Sequence, residues 1–332
     1  MADRESPAAL VAPIVGGLLL LVTLLGLVGT AVSDPKPHDI AVGLVGPPPA
    51  TQQISGAFAT NAPGTFKFTT YNSEADARSA IDSRAVDGAL ILGSGAPNLI
   101  VAGAAGDVAV GVMTAAFTNV FQAQSVTLQV ETVHPFAQGD AHGLLLFFVV
   151  VAVVISTLVS QAILYTIAGK AGVGPRVAVV AAYAVFSGLA AMGVALWIAG
   201  DFGSGYWQAT AVVMIGSAAV GAAVAGMIRL FGRVGIALSV LIVVLLDLVS
   251  SGGPGGSQIL PDYYRALSPW MPAPQLFSAI RGALYFNGEG VITPILVLFG
   301  WIAGGVVLMI LGHSIASRRG ATAAPTATAT EP

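Results

Sequence analysis

Asp247 is the one acidic residue that falls inside a long apolar run of this chain. A carboxylate in such a run is costly to place in lipid, which makes it a candidate for transport or proton coupling. It also stands about one turn before Ser250-Ser251-Gly252, so its other reading is structural: it reaches the membrane surface or bonds a neighbouring helix. No basic residue shares its run, and one acid alone makes a weak proton relay. Other chemistries find no footing. The chain has no cysteine, which removes disulfides, thiolate metal sites, iron–sulfur clusters and cysteine nucleophiles together. Its four histidines, His38, His134, His142 and His313, are scattered and lack metal-ligand spacing. The first three read as linker residues. No His-Glu-x-x-His pair occurs. No phosphate-binding loop occurs either: Gly169-Lys170 lacks both the earlier glycine and the following hydroxyl of that motif. The expectation is a protein without catalytic residues, metal or cofactor, in which any ATP hydrolysis takes place on a separate subunit.

The elements that hold Asp247 dominate the composition. Of 332 residues, 55% are hydrophobic and 9% charged, against about 25% charged in soluble domains. About 20 apolar residues cross a bilayer. Runs of that kind lie at Leu10–Val32, Gly143–Ala168, Val177–Gly200, Trp207–Ile228, Val234–Ser250 and Val291–Gly312. This predicts a polytopic α-helical membrane protein with six spans. The first run exceeds the roughly 7–15 apolar residues of a signal-peptide core. It therefore reads as a retained anchor, with cleavage near Ala31-Val32-Ser33 as the alternative. Asp34-Pro35-Lys36-Pro37 ends it, because proline cannot continue a helix.

Residues 34–140 read as an inserted α/β domain. Strand patterns fall at Asp39–Val45, Thr65–Tyr71, Val86–Leu92, Asn98–Ala102 and Val126–Val133. Helix patterns fall at Thr51–Thr60, from Ser73 to Ser83, and from Asp107 to about Gln124. Ser73 with Glu74 and Asp76 makes a helix start, since serine caps free amides and acids suit the positive helix end. The order predicts a mixed sheet carrying helices, and about 100 residues suffice for a modest core of its own.

Residues 251–290 are too polar and too broken by proline to span. Leu276, Phe277, Ile280 and Leu284 have helical spacing, which predicts an amphipathic helix in the membrane interface over Pro274–Phe286, or a re-entrant segment. The aromatic residues there suit interfacial anchoring. Arg265 and Arg281 suit contact with anionic headgroups. With Asp247 and Trp270, these two arginines are the candidates for substrate contact or gating. Residues 291–313 form the last span, and 314–332 read as a disordered tail.

Basic residues near span ends orient the chain. Lys170 and Arg176 flank one turn, Arg229 and Arg233 another, and Arg318 and Arg319 follow the last span. With alternating spans all three groups share one side, the cytoplasm. Both termini are then cytoplasmic, and residues 34–140 and 251–290 are extracytoplasmic. Lys170, Arg176, Arg229 and Arg233 become candidate contacts for a cytoplasmic partner. Three lysines among 13 basic residues, with abundant alanine, glycine and valine, read as bacterial, placing the chain in the inner membrane. The net charge of −3 and the scattered basic residues argue against a nucleic-acid partner. Ser217-x-x-x-Gly221 and Gly300-x-x-x-Gly304 are small-residue pairs that let helices approach, within the bundle or across a homo- or heterodimer face.

One span, an extracytoplasmic α/β domain and five further spans resemble the type-2 ABC exporter permeases and the phage-infection-protein (YhgE/Pip) family. The clearest local likeness is Ser250–Gly288, with Ser251-Gly252-Gly253, Leu260-Pro261, Pro269–Pro272 and Arg281. Ile40–Val45 is similar to the opening strand of those families, and Ser73–Leu90 to their helix before a Gly-Ala-Leu strand. The resemblance implies a permease-like export subunit for a hydrophobic or amphipathic envelope molecule, worked by a separate ATP-binding subunit. Only about nine residues precede the first span, and the turn Gly169–Arg176 (GKAGVGPR) is short and glycine-rich. These features lean toward the phage-infection-protein side. The second functional reading is a non-transporting envelope scaffold or receptor whose 34–140 domain binds a partner.

Overall fold

The computed structural model describes residues 7–33, 36–169 and 171–322. Asp3, Arg4, Glu5, the Asp34-Pro35 helix stop, Lys170 and the tail from Ala323 lie outside the described residues, as does the side chain of Arg319.

Helix α1 covers Pro7–Val32. It leads into an α/β unit made of β1 (Ile40–Val45), α2 (Pro48–Asn61), β2 (Phe66–Tyr71), α3 (Glu74–Asp82), β3 (Gly88–Ile91), β4 (Asn98–Ala102), α4 (Asp107–Gln122) and β5 (Gln129–Val133). The strands form one sheet in the order β2-β1-β3-β4-β5. Only the β3–β4 pair is antiparallel, as a short Gly/Pro connection requires; the other pairs are parallel and joined by crossovers. Alternation along β1 sends Ile40, Val42 and Leu44 to one face. There they meet Ala109, Met113, Phe117 and Phe121, a stripe with a four-residue step along α4. Phe58 and Phe66 pack edge-on in the same layer, with ring centroids 5.0 Å apart. Ser73 caps α3, its hydroxyl accepting from the Asp76 amide at 3.1 Å.

The opposite face of the sheet is not closed by the α/β unit alone. Ala77, Ala80 and Ile81 of α3 cover part of it. Phe286, from the segment just before the last apolar helix, completes the cluster at 2% exposure.

The membrane portion holds α5 (Leu144–Ala168), α6 (Val173–Ala199), α7 (Tyr206–Phe231), a composite helix Arg233–Ser250, and α12 (Ile292–Thr322). Among the described residues these are five helices long and apolar enough to cross a membrane, and the chain is a polytopic helical membrane protein. The described apolar stretch of α1, Val15–Ala31, is shorter than these. Helix α7 stands at the centre and is buried round most of its circumference. Its alanines, glycines and valines permit that. The outer helices turn Phe148, Phe186, Trp197, Leu296 and Ile310 outward, as lipid-facing positions do. Asp140 caps α5 through the Leu145 and Leu146 amides.

The composite helix comprises α8 (Arg233–Ser239), a π-helical stretch Val240–Leu246 and α9 (Asp247–Ser250). After it come α10 (Asp262–Leu267) and α11 (Pro272–Tyr285). Two sequence expectations change here. Helix α11 does not leave one side exposed, as an interfacial helix would: most of its length is buried, because its apolar residues pack into the bundle and Ser278 and Arg281 contact Arg84 and Ala105 of the α/β unit. The segment 314–322 is helix rather than irregular tail, since α12 runs on to Thr322 with no proline to stop it.

Candidate functional site

Helix α11 is the element in which the α/β unit and the bundle meet. Within the bundle, Leu276 fills the space left by Gly216 of α7: a β-carbon there would stand 2.6 Å from the leucine Cδ1. Ala273, in the first turn of α11, donates its amide to Asp247 Oδ1 at 2.7 Å. Asp247 is 0% exposed, and its Oδ2 has no hydrogen-bond partner. The Asp247 side chain thus caps a free amide at the start of α11 from a neighbouring helix. This is the helix-bonding reading of Asp247.

From the middle of α11 onward, charged groups of the α/β unit take hold. Arg84 follows α3 with φ +61°, an unusual conformation for a residue with a side chain. Its Nη1 donates to the Ser278 carbonyl and its Nη2 to the Ser278 hydroxyl, each at 3.1 Å. Its guanidinium also lies 5.2 Å from the centre of the Phe286 ring. Gly282 admits this contact, because a β-carbon there would meet Arg84 Nη1 at 2.8 Å and the Glu289 carbonyl at 2.6 Å. Asp87 accepts from the Ala41 amide at 3.1 Å and from Gln258 Nε2 at 3.0 Å. Burial pushes the Asp87 carboxyl above its ordinary value. Burial also lowers the Arg84 and Arg281 guanidiniums, Arg281 to about 10, with the charge of Arg84 adding to the effect there. Both stay charged at neutral pH.

The four residues proposed for substrate contact or gating do not converge. Arg281 stacks on Phe277 at 4.8 Å and donates to the Ala105 carbonyl at 2.6 Å. Arg265 pairs with Asp39 at 3.2 Å and Asp262 at 2.8 Å, which ties α10 to the α/β unit. Trp270 is 72% exposed, and its carbonyl accepts from Trp301 Nε1 at 2.7 Å. Trp270 borders an apolar groove of about 740 Å³ along α12, lined also by Leu296, Gly300, Trp301, Gly304 and Leu308. Gly300 and Gly304 face this groove, with nothing within 4 Å of an added β-carbon. Close approach between α12 and α7 rests instead on Gly305 against Ala222 and on Gly312 against Arg229. Ser217 and Gly221 do pack inside the bundle: Ser217 bonds Ser187 at 2.8 Å and Thr157 at 3.2 Å, and Gly221 abuts Val180.

The basic turn residues lie at the end of the bundle away from the sheet. Arg176 is 2% exposed and is not available to a partner. Its donors reach the carbonyls of Ala168, Gly169 and Ala171, closing the C-terminal end of α5. Arg229 bonds the Gly169 carbonyl and His313 Nδ1. Arg233 is exposed.

Arg84, Asp87, Gln258 and Ser278 were not legible as site residues. Arg84 and Ser278 are 194 positions apart, and no local spacing signals such a contact. No protein-family model matches the chain, and no curated protein matches it.

Proposed function

We propose that the chain is a permease-like subunit of an export system in the bacterial inner membrane, acting on a hydrophobic or amphipathic envelope molecule and driven by a separate ATP-hydrolysing subunit. The observation that carries this reading is the double anchorage of α11. Its first turn is bonded to Asp247 of the composite helix, and its middle is packed on α7. From its middle onward Arg84 of the α/β unit holds Ser278, and Phe286, just past its end, packs against the sheet. A shift of the bundle helices therefore moves the α/β unit with them. In this reading α1 is a sixth span, both termini are cytoplasmic, and the α/β unit is extracytoplasmic. Arg176, Arg229 and Arg233 at the opposite end of the bundle support that orientation. Gly300 and Gly304 supply the face for a homo- or heterodimer.

Copurification of the full-length protein in mild detergent tests the export reading. An ATPase should copurify, and Arg233→Glu should reduce its recovery. Absence of any ATPase removes the reading. A cysteine at position 76 tests the topology: an impermeant thiol reagent should label it in intact cells, and labelling only in broken cells reverses the orientation.

The second reading, a non-transporting scaffold or receptor, is favoured by Arg176. Its guanidinium is consumed in capping α5 and is not offered to an energy-supplying partner.

A further inference from the structure

A partly open polar cavity of about 190 Å³ lies where the α/β unit meets α11. Arg84, Arg281 and Asp87 are its charged lining, so it carries one positive charge in excess. Ser257 and Gln258 add a hydroxyl and an amide from the segment before α10.

The guanidinium of Arg281 is only partly satisfied. Nη1 donates to the Ala105 carbonyl, and Phe277 covers one face. Nε is shut off from solvent and has no hydrogen-bond partner. Asp87 hydrogen-bonds neither arginine: its Oδ2 accepts from the Ala41 amide and from Gln258, and it acts on Arg281 only through its charge. Two arginines thus share one cavity with a single carboxylate, whose charge acts on both. The one carboxylate offsets only one of the two cations, a second buried cation without a counter-charge is unfavourable, and a guanidinium offers a planar fork that matches an oxyanion.

We propose that this cavity binds the anionic group of a small ligand, a phosphate or a carboxylate, between Arg281 and Arg84. Its volume suits one oxyanion with a few waters and falls below the roughly 300 Å³ at which pockets hold drug-sized molecules. The bound anion neutralises the excess charge and gives Arg281 Nε an acceptor. It also joins a residue of the α/β unit to one of α11, so occupancy tightens the junction. Two sources fit the chemistry: a phospholipid headgroup, or a soluble phosphate or carboxylate. Binding does not require transport, so the absence of an ATPase leaves this site standing.

The test uses the purified full-length protein in detergent, freed of phosphate. Inorganic phosphate is titrated calorimetrically at constant ionic strength, and phosphatidylglycerol is titrated by native mass spectrometry. Saturable one-to-one binding of either probe is expected. Arg281→Lys should weaken it at least ten-fold, because an ammonium lacks the fork. Asp87→Asn should tighten it several-fold, because the excess charge rises from one to two. Phosphate binding assigns a soluble anion; binding of phosphatidylglycerol alone assigns a headgroup. The proposal is overturned if neither probe binds saturably, or if affinity is unchanged in Asp87→Asn, a variant that keeps the cavity's shape should Arg281→Lys not fold.

Discussion

Asp247 Oδ1 and the Ala273 amide are 2.7 Å apart, which binds the end of the composite helix to the first turn of α11. The π-helical stretch Val240–Leu246 ends immediately before this acid. Such widened turns gather at functional positions in helices, and here the turn sets the position from which the carboxylate reaches α11.

Asp247→Asn keeps an oxygen for the Ala273 amide, whereas Asp247→Ala leaves that amide buried without an acceptor. An unsatisfied buried donor costs about 1–3 kcal/mol. Thermal unfolding in detergent should therefore rank wild type and Asp247→Asn close together, with Asp247→Ala clearly lower. Equal midpoints for the two variants would show that the contact does not hold α11.

The glycines of α12 should divide by face. Gly305→Ala places a methyl group against the Ala222 backbone and must part α12 from α7. Overpacking of that kind costs about 1–3 kcal/mol. Gly300→Ala and Gly304→Ala meet open space, and alanine's helix preference over glycine is worth up to about 1 kcal/mol. Comparing the three unfolding midpoints checks the division. Gly300→Leu should also lower the dimer fraction in crosslinking without lowering the midpoint, if this groove is the dimer face.

Asp87 makes stability depend on pH. Burial raises its folded-state value, so folding favours the protonated acid. That contribution is complete below the ordinary carboxylate value near about 4 and is lost as pH rises through the raised value. Asp87→Asn is neutral throughout. The difference in stability between variant and wild type should therefore shift in the variant's favour from about pH 3.5 to about pH 8 in phosphate-free buffer. A pH-independent difference would contradict the cause assigned to Asp87.

Arg176 and Arg233 should separate structure from surface. Arg176→Ala strands carbonyls at the end of α5 and should lower stability by about 1–3 kcal/mol. Arg233→Ala, an exposed position, should stay within about 0.5 kcal/mol of wild type. Chemical denaturation in mixed micelles measures both.

Much of the fold was legible locally. Hydropathy summed over about 20 residues marks a lipid-crossing helix without reference to any partner, and the five long apolar helices lie where those runs lie. A short apolar run marked β1, alternation marked β2, and Ser73 with its following acids marked the start of α3. Each is a property of neighbouring residues. What tertiary structure alone decided was which side of each element found a partner. Leu276 and Ile280 read as a stripe for the membrane interface, yet they pack into the bundle, while Ser278 of the same helix bonds Arg84 of the α/β unit. Gly300 and Gly304 carry the familiar small-residue spacing, yet Gly305 and Gly312 make the close approach, because the rotation of α12 about its axis is set by α7. Arg176 reads as a surface charge at a turn, yet the end of α5 turns it inward. Arg84 meets Ser278 across 194 residues, a pairing that exists only once the sheet has docked on α11.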